Sequence, residues 1–197
     1  MTKPPFVLCY LVIGLLTPWP ALAQREGAVL DTPLSTTVVS REDIASLPQG
    51  RDLLAILDLH NQVRVEVRSP PLRWNPILAR GAQDWAQTVA ETGVTQHSSR
   101  VGREDVRENV VMGLFSAISP LAMAQTWVNE KSLFRAGVFP DVCTGDWSLC
   151  SHYSQMIWSA TTDVGCGYAS AKYVALVCRY SPKGNIDGEL VIELTRD

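Results

Sequence analysis

Residues 151–185 read SHYSQMIWSATTDVGCGYASAKYVALVCRYSPKGN and contain the strongest structural signals of the chain. The first eight residues place apolar side chains at helical spacing, which predicts a short helix that Ser151 caps. Residues 163–170 and 173–180 are rich in Val, Tyr, Ala and Cys, so they predict two paired strands. A helix followed by a hairpin indicates a domain in which helices cover a sheet.

The cysteines of this stretch fit the predicted hairpin. A turn centred near residue 172 lies midway between Cys166 and Cys178. Facing positions on paired strands favour a disulfide between these two residues, which leaves Cys143 and Cys150 to close a short loop before the helix. The alternative for four cysteines is a zinc site, but the sequence has no CxxC pair. We therefore expect two disulfides, which form in an oxidising compartment.

Three further helices are predicted upstream. Residues 53–67 carry apolar side chains at helical spacing. Asn75-Pro76 is a helix start signal because asparagine caps and proline suits the first helical position, and it predicts a helix over residues 75–92. Ser119-Pro120 repeats the signal and predicts a third helix over residues 119–133.

The N-terminal residues predict export. Residues 1–23 combine Lys3, an apolar run and Ala21-Leu22-Ala23, the pattern of a cleavable signal peptide. The run is shorter than the roughly 20 residues that span a bilayer, so the mature chain is expected to be secreted, extracellular or periplasmic, without a transmembrane segment. Residues 24–50 lack periodicity and are interpreted as a leader or linker before a domain formed by residues 51–197.

Composition excludes two classes of protein. The chain has 197 residues, of which 46% are hydrophobic and 19% charged, which is too apolar for a disordered chain. Its 17 basic and 20 acidic residues provide no basic field for a phosphate backbone, so no nucleic-acid partner is expected.

Five polar residues are candidates for chemistry. His60 lies on the first helix, where a structural hydrogen-bonding role is expected. His97 follows the second helix, Glu108 precedes a Val-Val pair, Glu130 lies on the third helix and His152 opens the last one. No HExxH motif, GxSxG motif or phosphate-binding glycine loop is present. These residues alone leave both a structural role and a metal-binding or catalytic role open.

Several sequence blocks occur in a recognisable order between about Leu53 and Asn185. Together they resemble the CAP superfamily, which comprises cysteine-rich secretory proteins, antigen 5 and pathogenesis-related 1 proteins. The blocks are HNQVR, PLRWNPILARGAQDWA, WVNE, SHYSQMIW, VGCGY and VCRYSPKGN.

The resemblance implies an α+β fold, an α-β-α sandwich with a central antiparallel sheet flanked by helices and a central cleft. It also implies a cleft tetrad of His97, Glu108, Glu130 and His152, and it supports the bond between the cysteines of VGCGY and VCRY. Two imidazoles suit a divalent metal such as Zn²⁺, so His97 and His152 are the expected ligands of a metal that is not obligatory.

The resemblance does not imply a common catalytic activity. Members of the CAP superfamily look like secreted binding modules for sterols, other lipids or partner proteins. We therefore expect a non-enzymatic exported module whose cleft binds a divalent metal or a small ligand such as a lipid or sterol. The alternatives are a metal-dependent hydrolase that uses the same four residues, with a glutamate as general base, and an extracellular interaction module.

The sequence departs from the CAP pattern at two places. Arg107 replaces the glycine usual before Glu-Asn, which predicts a cation beside Glu108. The C-terminal residues 187–197 alternate in polarity, which predicts an additional edge strand.

Overall fold

The computed structural model describes residues 39–114 and 118–193 of the chain. The predicted signal peptide and most of the predicted leader lie outside the described residues. Within the described part no helix combines the length and apolarity that crossing a membrane requires. The helices are α1 (Arg41–Ala45), α2 (Gly50–Glu66), α3 (Pro76–Thr92), α4 (Pro120–Asn129) and α5 (Ser151–Ile157), and the strands are β1 (Arg73–Trp74), β2 (Arg107–Leu114), β3 (Asp163–Ser170) and β4 (Tyr173–Ser181).

The helix start signals act as the sequence predicts, with one exception. The Asn75 side chain accepts hydrogen bonds from the first-turn amides of α3, and the Ser119 side chain accepts one from the first turn of α4. Helix α4 ends at Asn129, and the residues to Leu133 continue it as a tighter 3₁₀ turn. Ser151 does not cap α5, because it is already the first helical residue and Cys150 occupies the cap position.

The four strands form one sheet in the order β1-β3-β4-β2. Strand β1 runs parallel to β3 and the other neighbours are antiparallel, so the sheet is mixed. Cys166 lies directly opposite Cys178 in the register of β3 and β4, and the two are bonded. The second predicted disulfide, Cys143–Cys150, is also present, so both pairings are confirmed.

The alternation of side chains along β3 and β4 separates two apolar layers. On one face, the alanines and Val89 of α3 pack against residues such as Ala175 and Val177. On the other face, α2, α4 and α5 pack against residues such as Val174 and Leu176. Because successive strand residues point to opposite faces, these two clusters place helices on both sides of the sheet. The expected α-β-α sandwich is confirmed.

Several features of the fold lie outside the sequence prediction, among them the two-residue strand β1. Strand β2 was not predicted, although it pairs with β4 along its whole length. Helix α1 lies in the segment interpreted as leader or linker, and its Ile44 is buried in the core. The predicted C-terminal edge strand is wrong for the described residues, because Leu190 makes a single bridge to Val138 and Val191 donates to the Gly137 carbonyl. The segment therefore pairs with a loop instead of extending the sheet.

The block HNQVR on α2 serves the structure. The buried His60 ring contacts the Ile56 carbonyl through Nδ1 and the Tyr180 hydroxyl through Nε2, at 2.7 and 2.8 Å. The Asn61 side chain bonds both the amide and the carbonyl of Leu72, as a strand neighbour would. The expected structural role of His60 is confirmed.

The buried state of His60 predicts a pH dependence of stability. Burial lowers the pKa of His60 from 6.5 to about 4, so the folded protein keeps this ring neutral where an unfolded chain would protonate it. Lowering the pH from 6.5 towards 4 is therefore expected to reduce the free energy of unfolding, by about 3 kcal/mol from this group. Urea unfolding of the wild type and the His60→Gln variant across this range measures the effect.

The His60→Gln variant should lose the part of the pH dependence of the free energy of unfolding that His60 causes. The matched control is His97→Gln, which changes an exposed histidine and should retain the His60 contribution. An identical pH slope in the wild type and His60→Gln would show that His60 protonates as easily in the folded state as in the unfolded one.

Candidate functional site

A cavity of about 580 Å³ opens at the end of the sheet where β2 begins and β4 ends. Three of the four predicted tetrad residues line it: His97, Glu108 and His152. The fourth, Glu130, contacts His152. The structure therefore brings the tetrad together as two imidazole–carboxylate pairs.

The first pair joins α4 to α5. Glu130 Oε1 lies 2.6 Å from His152 Nδ1, and Glu130 Oε2 accepts from the backbone amides of His152 and Tyr153 at 3.0 and 3.1 Å. These amides belong to the first turn of α5, which has no side-chain cap of its own. The ring of His152 also stacks on Trp127, with 6.0 Å between centroids. The Trp and the Glu of WVNE thus fix the position of this histidine.

The second pair centres on Glu108, whose side chain is fully buried. Its carboxylate accepts from the backbone amide and the hydroxyl of Ser98 at 2.9 and 2.6 Å. Arg103 and Arg179 donate to it at 3.0 and 2.9 Å, and His97 Nδ1 lies 3.8 Å away. Burial opposes ionisation, but the nearby His97 imidazole, the two hydrogen bonds from Ser98 and the charge of Arg103 outweigh it and lower the pKa of Glu108 to about 2.

The cations beside Glu108 are not the one that the sequence predicts. The departure at Arg107 led us to expect that guanidinium at the carboxylate, whereas Arg103 and Arg179 make the ion pairs. Arg179 is the direct cross-strand partner of Glu108 in the register of β2 and β4. Since β2 was not predicted, sequence analysis missed this pair, although alternation along VCRY would have identified it once the strand was known.

The geometry leaves only part of the tetrad available to a metal. Each imidazole faces a carboxylate through Nδ1, so Nε2 is the nitrogen that remains for a ligand. Both carboxylates are held by other protein groups, and no group of three or more His, Cys, Asp or Glu side chains in the described chain could hold a metal ion. The described residues therefore do not form a four-residue metal site, and the two imidazoles are the side chains of the tetrad left to contact a ligand.

Comparison with known proteins identifies the family of the chain. Residues 57–180 match the family model described as CAP, the cysteine-rich secretory protein family. Cysteine-rich secretory protein 3 of Homo sapiens is 32% identical over 202 residues, which cover 94% of this chain and 73% of that protein. Peptidase inhibitor 15 of Gallus gallus is 29% identical over 188 residues, which cover 80% of this chain and 71% of that protein.

Two solved structures share the fold. The crystal structure of NaASP2 with Zn²⁺ superposes with a TM-score of 0.62 at 21% identity and covers 72% of this chain and 85% of that chain. The structure of BmVAL-1 gives a TM-score of 0.59 at 25% identity and covers 75% of this chain and 84% of that chain. The motifs, the sandwich and the family match agree, and the chain belongs to the CAP family of cysteine-rich secretory proteins.

Proposed function

We propose that this chain is an exported, non-enzymatic binding protein whose cleft holds a divalent metal ion through Nε2 of His97 and His152. The observation that carries the proposal is that both rings line one cavity while a carboxylate faces Nδ1 of each. A carboxylate at the far nitrogen of a ligand histidine fixes the ring and raises its basicity. The solved relative NaASP2 was determined with Zn²⁺, which supports this choice of metal.

Export is supported by two features of the chain. The N-terminal sequence has the pattern of a signal peptide. Two disulfides are formed, and such bonds persist in oxidising compartments outside the cytosol.

The state of Glu108 and Glu130 supports a binding protein better than a hydrolase that uses one of them as general base. A general base works best with a pKa near the operating pH, whereas Glu108 has a pKa of about 2 and is enclosed by two arginines. Glu130 accepts three bonds that hold α5 and His152. Two imidazoles also fall short of the three protein ligands usual at a catalytic zinc.

A lipid or sterol is the weaker choice of ligand for this cleft. Its walls carry five basic side chains, which favour a polar occupant over an uncharged apolar one.

Zinc binding tests the proposal directly. Isothermal titration of the wild type with Zn²⁺ should give one site, and the His97→Ala/His152→Ala double variant should lose it. Glu130→Gln should weaken Zn²⁺ binding by about 10–100-fold, because the amide removes the charge that orients His152. His60→Gln is the matched control, since His60 is a histidine outside the cavity, and it should bind like the wild type. Equal binding by the wild type and the double variant would refute the proposed site.

A further inference from the structure

We propose that the same cleft binds the oxyanion of a small phosphate or sulfate ester, held by the guanidinium groups of Arg100 and Arg107 with the ammonium group of Lys183. This inference rests on the proposed function only in its use of the same cavity. It depends on different side chains from those assigned to the metal.

Positive charge is concentrated at this cleft. Arg100, Arg107 and Lys183 line it. Arg103 and Arg179 form ion pairs with Glu108, one of the residues that line the cleft. Five full cations therefore lie on or beside the lining of this cleft, and two of them pair with its one buried carboxylate.

The lining arginines lack such partners. Among the described residues neither Arg100 nor Arg107 forms an ion pair or a side-chain hydrogen bond. Burial and the neighbouring Arg100 lower the pKa of Arg107, and Asp105 offsets only part of this. Arg100 and Arg107 in turn oppose the charge of Arg103. Like charges held close together and partly desolvated raise the free energy of the empty cleft, and a bound anion relieves this repulsion.

The remaining acidic groups near the cleft do not cancel this charge. Glu108 is shared between Arg103 and Arg179. Asp187 lies on the lining and is exposed. The Glu104 carboxylate accepts from the Gly102 amide, and Lys183 contacts only the Glu104 backbone carbonyl, at 3.4 Å. The ammonium group of Lys183 therefore also faces the cleft without a carboxylate.

The chemistry of these groups selects the ligand class. A guanidinium presents a planar fork of donors that matches carboxylate, phosphate and sulfate oxygens in pairs. The lining also contains Phe139, Trp147 and Ile186, which can contact the organic part of an ester. The cleft is thus built for a compact anionic group on a small organic body.

Phosphate-ester binding tests the inference. Glucose 6-phosphate, inorganic phosphate and inorganic sulfate are titrated separately into the full chain in the presence of a chelator, with the heat of binding and the total tryptophan fluorescence as readouts. We expect saturable binding that weakens as ionic strength rises. Arg100→Gln and Arg107→Gln should each weaken binding about tenfold or more. Arg51→Gln, which removes an exposed arginine of α2 away from the cavity, should bind like the wild type.

The two arginine variants also give a readout without ligand. They should melt no lower than the wild type, because each substitution relieves repulsion, while added phosphate should raise the melting temperature of the wild type alone. Equal affinities in the wild type and both arginine variants would overturn the inference. So would binding only to vesicles of anionic phospholipid, with no competition by the soluble ester.

Zinc titration of Arg100→Gln/Arg107→Gln separates the two proposals. Retained Zn²⁺ binding together with lost ester binding supports both. If the arginine variants lose ester binding but the histidine double variant binds Zn²⁺ like the wild type, the anion site stands and the metal site does not.

Discussion

Replacing Arg64 by methionine is expected to lower the free energy of unfolding by about 3–5 kcal/mol. The Arg64 guanidinium is fully buried and donates to the backbone carbonyls of Pro70, Met156, Trp158 and Thr161. Methionine fills much of the volume but donates nothing, so the carbonyls of Met156 and Thr161 lose this donor, while the Trp158 carbonyl keeps only the Thr161 amide. Equilibrium denaturation in urea measures the loss.

The carbonyl bonds of Arg64 explain why such a large effect is expected. Burial lowers the pKa of Arg64 only to about 10, so the side chain remains charged at neutral pH. Its contacts tie the end of α2 to the C-terminal end of α5, where unpaired carbonyls carry partial negative charge. A cation at this point satisfies several orphan acceptors at once.

Two further variants make the result specific. Arg64→Lys keeps the charge but loses the planar set of guanidinium donors. Its free energy of unfolding should therefore lie between those of the wild type and Arg64→Met. Arg51→Met, in the exposed first turn of the same helix, should change stability by less than about 0.5 kcal/mol. A cooperative Arg64→Met protein within 1 kcal/mol of the wild type would mean that these carbonyls find other partners.

The sequence predicts the helices well because their signals are local. Periodicity marks the buried face of each helix, and Asn75-Pro76 and Ser119-Pro120 fix two starts through the hydrogen bonds that the structure shows. The hairpin is predicted for the same reason, since residue 172 is central both in the sequence and in the register. The helices and the hairpin are formed by contacts between residues close in sequence, so nearby residues are enough to predict them.

Strand β2 was missed because its signal is not local. Only a short apolar run follows Glu108 and Asn109, and both of these polar residues are buried. Each is satisfied from elsewhere in the chain: Glu108 by Arg103 and Arg179, and Asn109 by the carbonyl of His152 and the hydroxyl of Tyr180. A polar pair inside a strand obscures alternation, and its partners emerge only when the sheet is assembled.

The sequence predicts the four residues of the candidate site but not the positive charge of the cleft around them. The family motifs identify four residues, and the structure adds that both carboxylates already serve the fold: Glu130 holds α5, and Glu108 forms ion pairs with two arginines. Only the imidazoles remain as donors to a metal. The positive charge of this cleft comes from Arg100, Arg107 and Lys183. Arg107 is a departure from the CAP pattern, and Arg100 and Lys183 lie in loops.

Replacing Gly165 or Gly167 by alanine is expected to destabilise the protein by about 3 kcal/mol each. These are the glycines of VGCGY, and both face α3. A Cβ at Gly165 would overlap backbone atoms of Asn75 and Ala79, and one at Gly167 would overlap backbone atoms of Gln83. Neither obstacle is a flexible side chain, so the helix itself must move away from β3. Thermal and urea unfolding measure the cost.

The displacement should also reach the cleft. Helix α3 leads into the loop that carries His97, so its movement is expected to weaken the proposed binding of Zn²⁺ together with stability. Gly137→Ala is the matched control, because the nearest neighbour of its Cβ is Val142 Cγ1 at an ordinary 3.8 Å, and its stability should stay within about 1 kcal/mol of the wild type. If both sheet variants are as stable as Gly137→Ala, helix and strand are not in direct backbone contact. In that case the glycines of VGCGY require an explanation other than the close approach of α3 to the sheet.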